Sequence, residues 1–267
     1  MADSNNKKYV LNGVGTAYLK VVKDGKTTMV KLGTMQDMKL SFNGSSEKIY
    51  GGDTLSPIYI INKDTSTTAS FTEAQFGLEY LQLTNGADIK TGGTLIFNVE
   101  PTLIASGTTF TVPGSLTNII PEETIAYLSD DAEGTVNVTY LEYVSSATGL
   151  TEGQFSITAA GVVTLGDTVT NKYLALNGLY TDTTSQSATV GTASIPGFVT
   201  IRHTSMPVEM SDGKKVILHT VIYKARSSGK LDIDQKRQAA ATPQLEFEVF
   251  DSGRTDGVVV QITKQLV

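Results

Sequence analysis

Residues 245–249 read Leu-Glu-Phe-Glu-Val, with apolar and acidic side chains in strict alternation. Successive side chains of a β-strand point to opposite faces, so this stretch predicts a strand with one apolar and one acidic face. The three apolar side chains would then enter a core, while Glu246 and Glu248 would face outward. Because such a strand must lie in a sheet to bury its apolar face, the stretch favours a mainly β fold.

Hairpin signals near the N-terminus extend this pattern. Tyr18–Val22 and Thr28–Leu32 flank Asp24-Gly25, and Asp-Gly between β-rich runs is typical of a hairpin. Lys39–Phe42 and Lys48–Tyr50, which surround an Asn-Gly pair, predict a second hairpin. A mainly β domain therefore begins within the first 50 residues.

One segment predicts a helix. Ser70-Phe71-Thr72-Glu73 fits a capping box, in which the serine oxygen and the glutamate carboxylate accept hydrogen bonds from the first backbone amides. Phe71, Ala74, Leu78 and Leu81 follow at helical spacing, and Asn85-Gly86 tolerates the left-handed conformation that ends many helices. We expect a single α-helix that flanks the sheet.

Charge divides the chain into two compositional parts. Between Thr91 and Ile201 the chain has one basic residue, Lys172, and ten acidic residues. The flanks carry twenty basic and seventeen acidic residues. The middle is also rich in Thr, Ser and Gly, and its short candidate strands suggest a small β module. We expect a core domain formed by residues 1–100 plus 196–267, with residues 101–195 as an inserted, outward-facing acidic module.

The residues of known catalytic and metal centres are scarce. The chain has no cysteine and two histidines, His203 and His219, each expected to be an ordinary strand residue. No phosphate-binding or dinucleotide fingerprint is present, and the acidic clusters at 130–134 and 232–234 are typical of solvated turns. We expect no enzyme activity, no cofactor and no metal. The absence of tryptophan lowers the case for a carbohydrate-binding cleft.

A strip near the C-terminal end alternates in charge. Its charged residues are Lys230, Asp232, Asp234, Lys236 and Arg237. Two interpretations stay open with equal weight: a solvated loop, or a contact strip between like subunits in which self-complementary charges set the register.

The ordered pattern of segments resembles a bacteriophage major tail tube protein of the long-tailed phages. The resemblance lies in Glu47–Asp53 followed by the predicted capped helix Ser70–Leu81, in Tyr223–Phe250, and in Gly153–Ile157 followed by Gly161–Leu165. It implies a β-sandwich or barrel-like core with one flanking helix. It also implies rings, usually hexameric, that stack into a tube and form the conduit for DNA ejection. No catalytic residue and no cofactor come with this family.

The resemblance sets the expected partners and location. The partners would be other copies of the chain, other tail proteins, and viral DNA that passes without tight binding, with no membrane involved. The protein would be made in the host cytoplasm and reside in the virion tail. Glu246 and Glu248 would face the channel or lie at a wet interface. An acidic lining suits a conduit, since a basic wall would hold DNA through counterion release. Met1–Lys8 and Tyr50–Lys63 are candidates for extended arms between subunits.

Two other classes of function remain open from the sequence. A phage capsid or decoration component would fit the Thr-rich middle equally well. A surface adhesin or carbohydrate-binding module is less favoured, because the polar residues 1–8 give no expectation of a secretion signal. The net charge of −6 argues against a general nucleic-acid binder.

Overall fold

The computed structural model describes residues 11–267 except 12, 24, 52–54, 115, 211–212, 234–236 and 238–241. In these residues the chain is mainly β with one short helix, which confirms the predicted fold class. The chain forms two compact units, Met1–Ile89 with Ala188–Val267 and, between them in sequence, Lys90–Ser187.

The first unit is built on a nine-stranded sheet with the order β2-β1-β10-β12-β13-β4-β3, and β11 and β14 pair with other parts of β12. Its elements are β1 (Thr16–Lys23), β2 (Lys26–Leu32), β3 (Met35–Ile49), β4 (Tyr59–Glu73), α1 (Glu79–Asn85), β10 (Val199–Thr204), β11 (Val208–Glu209), β12 (Lys215–Ser227), β13 (Gln244–Val249) and β14 (Val260–Leu266). β2 and β3 end the strand order at opposite sides, although two residues separate them in sequence.

The predicted first hairpin is confirmed and the second is wrong. β1 and β2 pair as far as Lys23 opposite Lys26. Lys39 and Lys48, however, lie in one continuous strand, β3, which pairs with β4 along its length. The Asn-Gly pair forms no turn, because Gly44 lies at a register irregularity within the ladder. The long partner strand supplies hydrogen bonds on both sides of that irregularity.

The predicted start of the helix is also wrong. Ser70–Glu73 belongs to β4, where Phe71 pairs with Leu245 of β13 and is fully buried. Pairing with β3 and β13 overrides the local capping signal, since helix propensity is a weak preference against tertiary packing. The helix begins at Glu79 and ends as predicted at Asn85-Gly86. Gly86 adopts a φ of 68° and donates its N–H to the Gln82 carbonyl.

Glu73 fastens the helix to the sheet instead of capping it. Its side chain is buried and accepts hydrogen bonds from the Thr34 backbone N–H at 3.0 Å and the Thr34 hydroxyl at 2.5 Å. Burial, followed by the nearby charge of Glu73, raises the pKa of Tyr80 on the helix to about 12. At the other end of the helix, Lys23 donates to the Gly86 carbonyl at 2.8 Å, where the helix dipole favours a cation.

The core of the first unit lies on one face of the sheet. The alternation predicted for residues 245–249 is confirmed, because Leu245 and Phe247 are fully buried while Glu246 and Glu248 are exposed. Phe247 packs edge-on against Phe71 with ring centroids 6.1 Å apart. Leu19 of β1 and Ile201 of β10 complete the same cluster from neighbouring strands. Burying each of these large side chains contributes about 1.5–3 kcal/mol relative to leaving it exposed.

The second unit is a small barrel-like sheet. Its strands are β5 (Asp88–Thr111), β6 (Ile119–Ser129), β7 (Thr139–Tyr143), β8 (Gln154–Ile157) and β9 (Val162–Thr189). The order is β5-β9-β6-β7-β8, and β8 pairs again with the first part of β9, which closes four strands into a ring. Phe155 and Leu174 are among the side chains that fill its interior.

His203 is a buried strand residue with one unsatisfied ring nitrogen. Its Nε2 lies at hydrogen-bond distance from the Val14 carbonyl, which can only accept, so Nε2 carries the proton. Nδ1 is buried without a hydrogen-bond partner among the described residues. Burial lowers the pKa of His203, because the charged imidazolium would lose its contact with water there.

Gly86 provides a test of the helix end. A Cβ atom added to this residue would lie 2.3 Å from the Ile195 carbonyl oxygen, and the φ of Gly86 is positive. Gly86→Ala is expected to lower the free energy of unfolding by about 3 kcal/mol or more, from backbone strain and displacement of the Ile195 backbone. Gly257→Ala, at a φ of 65° with nothing within 4 Å, is the matched control and should lose only about 1–2 kcal/mol. Equal losses in denaturant titrations would contradict the steric argument.

His203 predicts an acid-dependent loss of stability. Since the folded pKa lies below the unfolded value of about 6.5, the stabilisation is complete above that pH and falls as the pH drops below it. His203→Gln, whose amide can still donate to Val14, should flatten the dependence of the unfolding free energy between about pH 7 and 5. His219→Gln is the control and should keep it. Parallel curves for all three proteins would exclude His203 as the cause.

Candidate functional site

The two histidines lie on neighbouring strands of the first unit, and the acidic turn at 130–134 belongs to the second unit. His203 lies in β10 and His219 in β12, where His219 contacts the Gln265 side chain at 2.8 Å. The Asp131 carboxylate accepts from the Thr135 and Val136 backbone N–H groups, as in a capped turn. Across the described ranges, no group of three or more His, Asp or Glu side chains is placed to hold a metal ion. None of the described helices is long and apolar enough to cross a membrane.

Part of the alternating-charge strip lies outside the residues that the structure describes. Lys230 and Asp232 form an ion pair at 3.3 Å with both side chains more than two-thirds exposed. Arg237 is exposed as well. Asp234 and Lys236 lie outside the described residues, as does the predicted arm Met1–Lys8. An exposed pair of this kind contributes little to the stability of a single copy, so the described part of the strip is available for contacts.

Several exposed apolar side chains lie together on a two-stranded ribbon that we call the arm. It consists of residues 43–49 of β3 and 59–66 of β4, and every one of these residues is exposed. Tyr59 is 65% exposed, Ile60 52% and Ile61 39%, and Ile58 just before the strand is 66% exposed. A two-stranded ribbon with both faces in water is marginally stable, and an apolar patch of this kind marks a contact surface.

Glu246 and Glu248 lie on the outward face of the sheet. They alternate with the buried Leu245 and Phe247, and they stand opposite Ser70 and Thr68 of β4. Asp37 of β3 projects from the same face, because it pairs with Thr72, two positions along β4 from Ser70. Lys39 projects from this face as well, because it pairs with Ser70, which also stands opposite Glu246. We call the three carboxylates that outnumber this lysine, Asp37, Glu246 and Glu248, the acidic face.

The neighbouring strands carry the opposite charge on that outward face. The strands β1, β2, β10 and β12 contain no Asp or Glu, and their outward basic residues form what we call the basic face: Lys20, Lys31, Arg202, Lys224 and Arg226. Lys31 and Arg202 stand directly opposite Tyr18 from either side, so the three side chains form one cross-strand row. This face was not predicted from the sequence. The signal that could have revealed it is the absence of Asp and Glu from four strands, but this signal has meaning only once the pairing of those strands is known.

Two of these cations contact an exposed aromatic ring. Lys224 Nζ lies 4.6 Å and the Arg226 guanidinium 5.7 Å from the centroid of Phe198. Phe198 also packs edge-on against Phe250, with centroids 5.8 Å apart. Arg226 therefore turns toward Phe198, although Glu248 is its direct cross-strand neighbour. Cation–π contacts hold both cations on the outward face.

The candidate residues that the fold brings together form three surfaces: the arm, the acidic face and the basic face. Comparison with known proteins gives one family: the model of the YomU/Tube protein family matches residues 9–262. No curated protein shows significant similarity to the chain. The match runs through both compact units, including the acidic module. The chain therefore belongs to the YomU/Tube protein family and is a phage tube-type structural protein.

Proposed function

We propose that the protein is a major tail tube subunit that self-assembles into stacked rings and forms the conduit for DNA ejection. The observation that carries the proposal is the arm, which exposes Tyr59, Ile60 and Ile61 on a ribbon that has no core of its own. Membership of a tube family supports self-association as the reason for this exposure. Tubes, rings and stacking go beyond the family match and are part of the proposal.

Burial of the arm against another copy would stabilise both the arm and the assembly. The ribbon leaves one edge of β3 without a partner strand in the described sheet, so main-chain N–H and C=O groups are free to pair. Apolar side chains on the same ribbon would add about 25 cal/mol per Å² of buried apolar surface. Strand addition together with side-chain burial is a common way for one chain to bind another.

The channel wall belongs to the outward face of the sheet in this proposal. Glu246 and Glu248 are exposed there, and their carboxylates would keep the wall from binding the phosphates of passing DNA tightly. Weak contact with its cargo suits a conduit, since tight binding would slow ejection. The described strip residues Lys230, Asp232 and Arg237 are proposed as further subunit contacts.

The remaining partners and the location follow from the tail assignment. Other tail proteins would meet the ends of the tube, and the virion tail would be its final place. Residues 101–195 would form an outward-facing module, whose nine acidic residues outnumber its one basic residue, Lys172, and repel other particles. A structural tube family favours this role over catalysis.

The alternatives draw less support from the described surfaces. A cleft of about 460 Å³ in the second unit is lined by polar groups such as Glu152, Gln154 and Lys172, with apolar Leu141 and Val169. Aromatic side chains are absent from its described lining, although sugar-binding sites gain much of their contact area from aromatic rings. A capsid or decoration role would give shells or surface spikes in micrographs instead of tubes.

The arm gives the direct test of assembly. Wild-type protein is expected to form rings or tubes by negative-stain microscopy and to sediment as large particles. Replacing Tyr59 and Ile61 with threonine keeps strand propensity and removes apolar area, so the concentration needed for assembly should rise at least about tenfold, corresponding to about 1.4 kcal/mol. Ile96→Thr with Ile125→Thr, at exposed positions of the second unit, is the matched control and should assemble normally.

Wild-type protein that stays monomeric at high concentration would overturn the proposed function. Normal assembly of the arm variant would instead remove the arm from the contact.

Deletion of the second unit tests whether the tube needs the acidic module. The Ser187 hydroxyl donates to the Gly92 carbonyl at 2.7 Å, so the chain leaves the module beside the point where it enters. Replacing residues 90–187 by a short Gly-Ser linker is therefore expected to leave a folded core that still forms tubes, thinner in projection. Circular dichroism and microscopy check fold and assembly separately. A folded core that forms no tubes would assign the module to the subunit contact.

A further inference from the structure

The outward face of the sheet in the first unit carries opposite charges that do not pair within one copy. The five cations of the basic face lie on four adjacent strands, a width of about 14 Å at ordinary strand spacing. The three carboxylates of the acidic face lie on β13 and β3. Ion pairs within 4 Å join none of these eight side chains to another described residue. The acidic face carries three carboxylates with Lys39, and the basic face carries five cations, so each face keeps a net charge of its own sign in a single copy.

The positions of the basic face and the acidic face favour a heterologous, head-to-tail contact between copies of the chain. The two faces are different surfaces of the same sheet, so one copy can present its basic face to the acidic face of the next. Repetition of that contact builds a ring when the rotation closes. An isologous dimer would instead bring each face against itself, with like charges opposed.

We infer that the basic face of one copy packs against the acidic face of its neighbour and sets the head-to-tail order of the ring. This inference rests on the proposed ring assembly and adds the contact that orders it. At the boundary between the two copies, three cations of the basic face form ion pairs with the three carboxylates of the acidic face. The cations are Lys20, Lys31 and Arg202, and the carboxylates are Asp37, Glu246 and Glu248. Carboxylates that face the channel are thereby set beside cations, so the wall is close to neutral.

A second copy explains the basic face better than nucleic acid does. The chain has a net charge of −6 and a sequence pI of about 5.0, so its overall field repels phosphate. Glu248 also stands directly beside Arg226 and would oppose a phosphate bound there. Five phosphate contacts per subunit, repeated around a ring, would hold DNA firmly and oppose transport. A neighbouring copy carries the same net charge, but its acidic face would neutralise these cations without holding DNA in the channel.

Charge reversal tests the contact through two complementary variants. The basic-reversed variant replaces three outward cations: Lys20→Glu, Lys31→Glu and Arg202→Glu. The acid-reversed variant replaces all three carboxylates of the other face: Asp37→Lys, Glu246→Lys and Glu248→Lys. Each variant alone should need at least a tenfold higher concentration to assemble, because both contacting faces then carry the same sign. An equimolar mixture should recover assembly, since the two variants can alternate around a ring with an even number of subunits.

The controls separate this inference from the proposed function. Glu122→Lys, Glu123→Lys and Glu133→Lys in the second unit change the net charge as much as the acid-reversed variant does, and this protein should assemble like wild type. Wild type that fails to assemble overturns the ring itself, and the inference with it. Wild type that assembles, with reversed variants that assemble equally well alone, overturns only the inference. Binding of a fluorescent oligonucleotide that is lost in the basic-reversed variant, with assembly unchanged, would assign the face to nucleic acid instead.

Discussion

Pairing of β13 with β4 is the constraint on which the rest of the first unit depends. It places Leu245 opposite Phe71 and brings Phe247 against the Phe71 ring, so both aromatic side chains leave water together. The same register commits Glu246 and Glu248 to the outward face. Sliding β13 by one residue would bury two carboxylates and expose the aromatic ring, which costs several kcal/mol. Core and outward surface are thus set by one strand pairing.

That pairing also explains where sequence reasoning succeeded and failed. Alternation at 245–249 depends only on burial along one strand, so it predicted β13 and its two faces. The capping box at Ser70–Glu73 is a local signal, and a local signal cannot reveal that β3 and β13 lie on either side of β4. Glu73 then takes a role that no capping pattern describes, since it accepts from Thr34, 39 residues away in sequence. The glycine that ends the helix was predictable, because positive φ is a property of the residue itself.

The candidate surfaces likewise differ in whether the sequence alone could reveal them. Tyr50–Lys63 was named from the sequence as a candidate arm, and the described apolar residues of that segment, such as Tyr59 and Ile60, are exposed. The basic face could not, since Lys31 and Arg202 are 171 positions apart and meet only when β2, β1 and β10 become neighbours. Counting charge along the chain showed an acidic middle and nearly balanced flanks. Because this count sums the charges of each segment, it did not show that basic and acidic residues lie on different strands of the first unit's sheet.

The charge pattern suits the proposed contacts between copies of this chain. Stability of one copy gains little from exposed ions, so selection for folding alone gives no reason to gather five cations on four strands without a carboxylate. Selection for association does, because opposed fields steer encounters and exclude wrong registers. An acidic module on each copy adds a general repulsion that the local contact must overcome. Ordered assembly then requires that attraction be confined to matched faces, and unpaired charge on a folded sheet is a physical means of confining it.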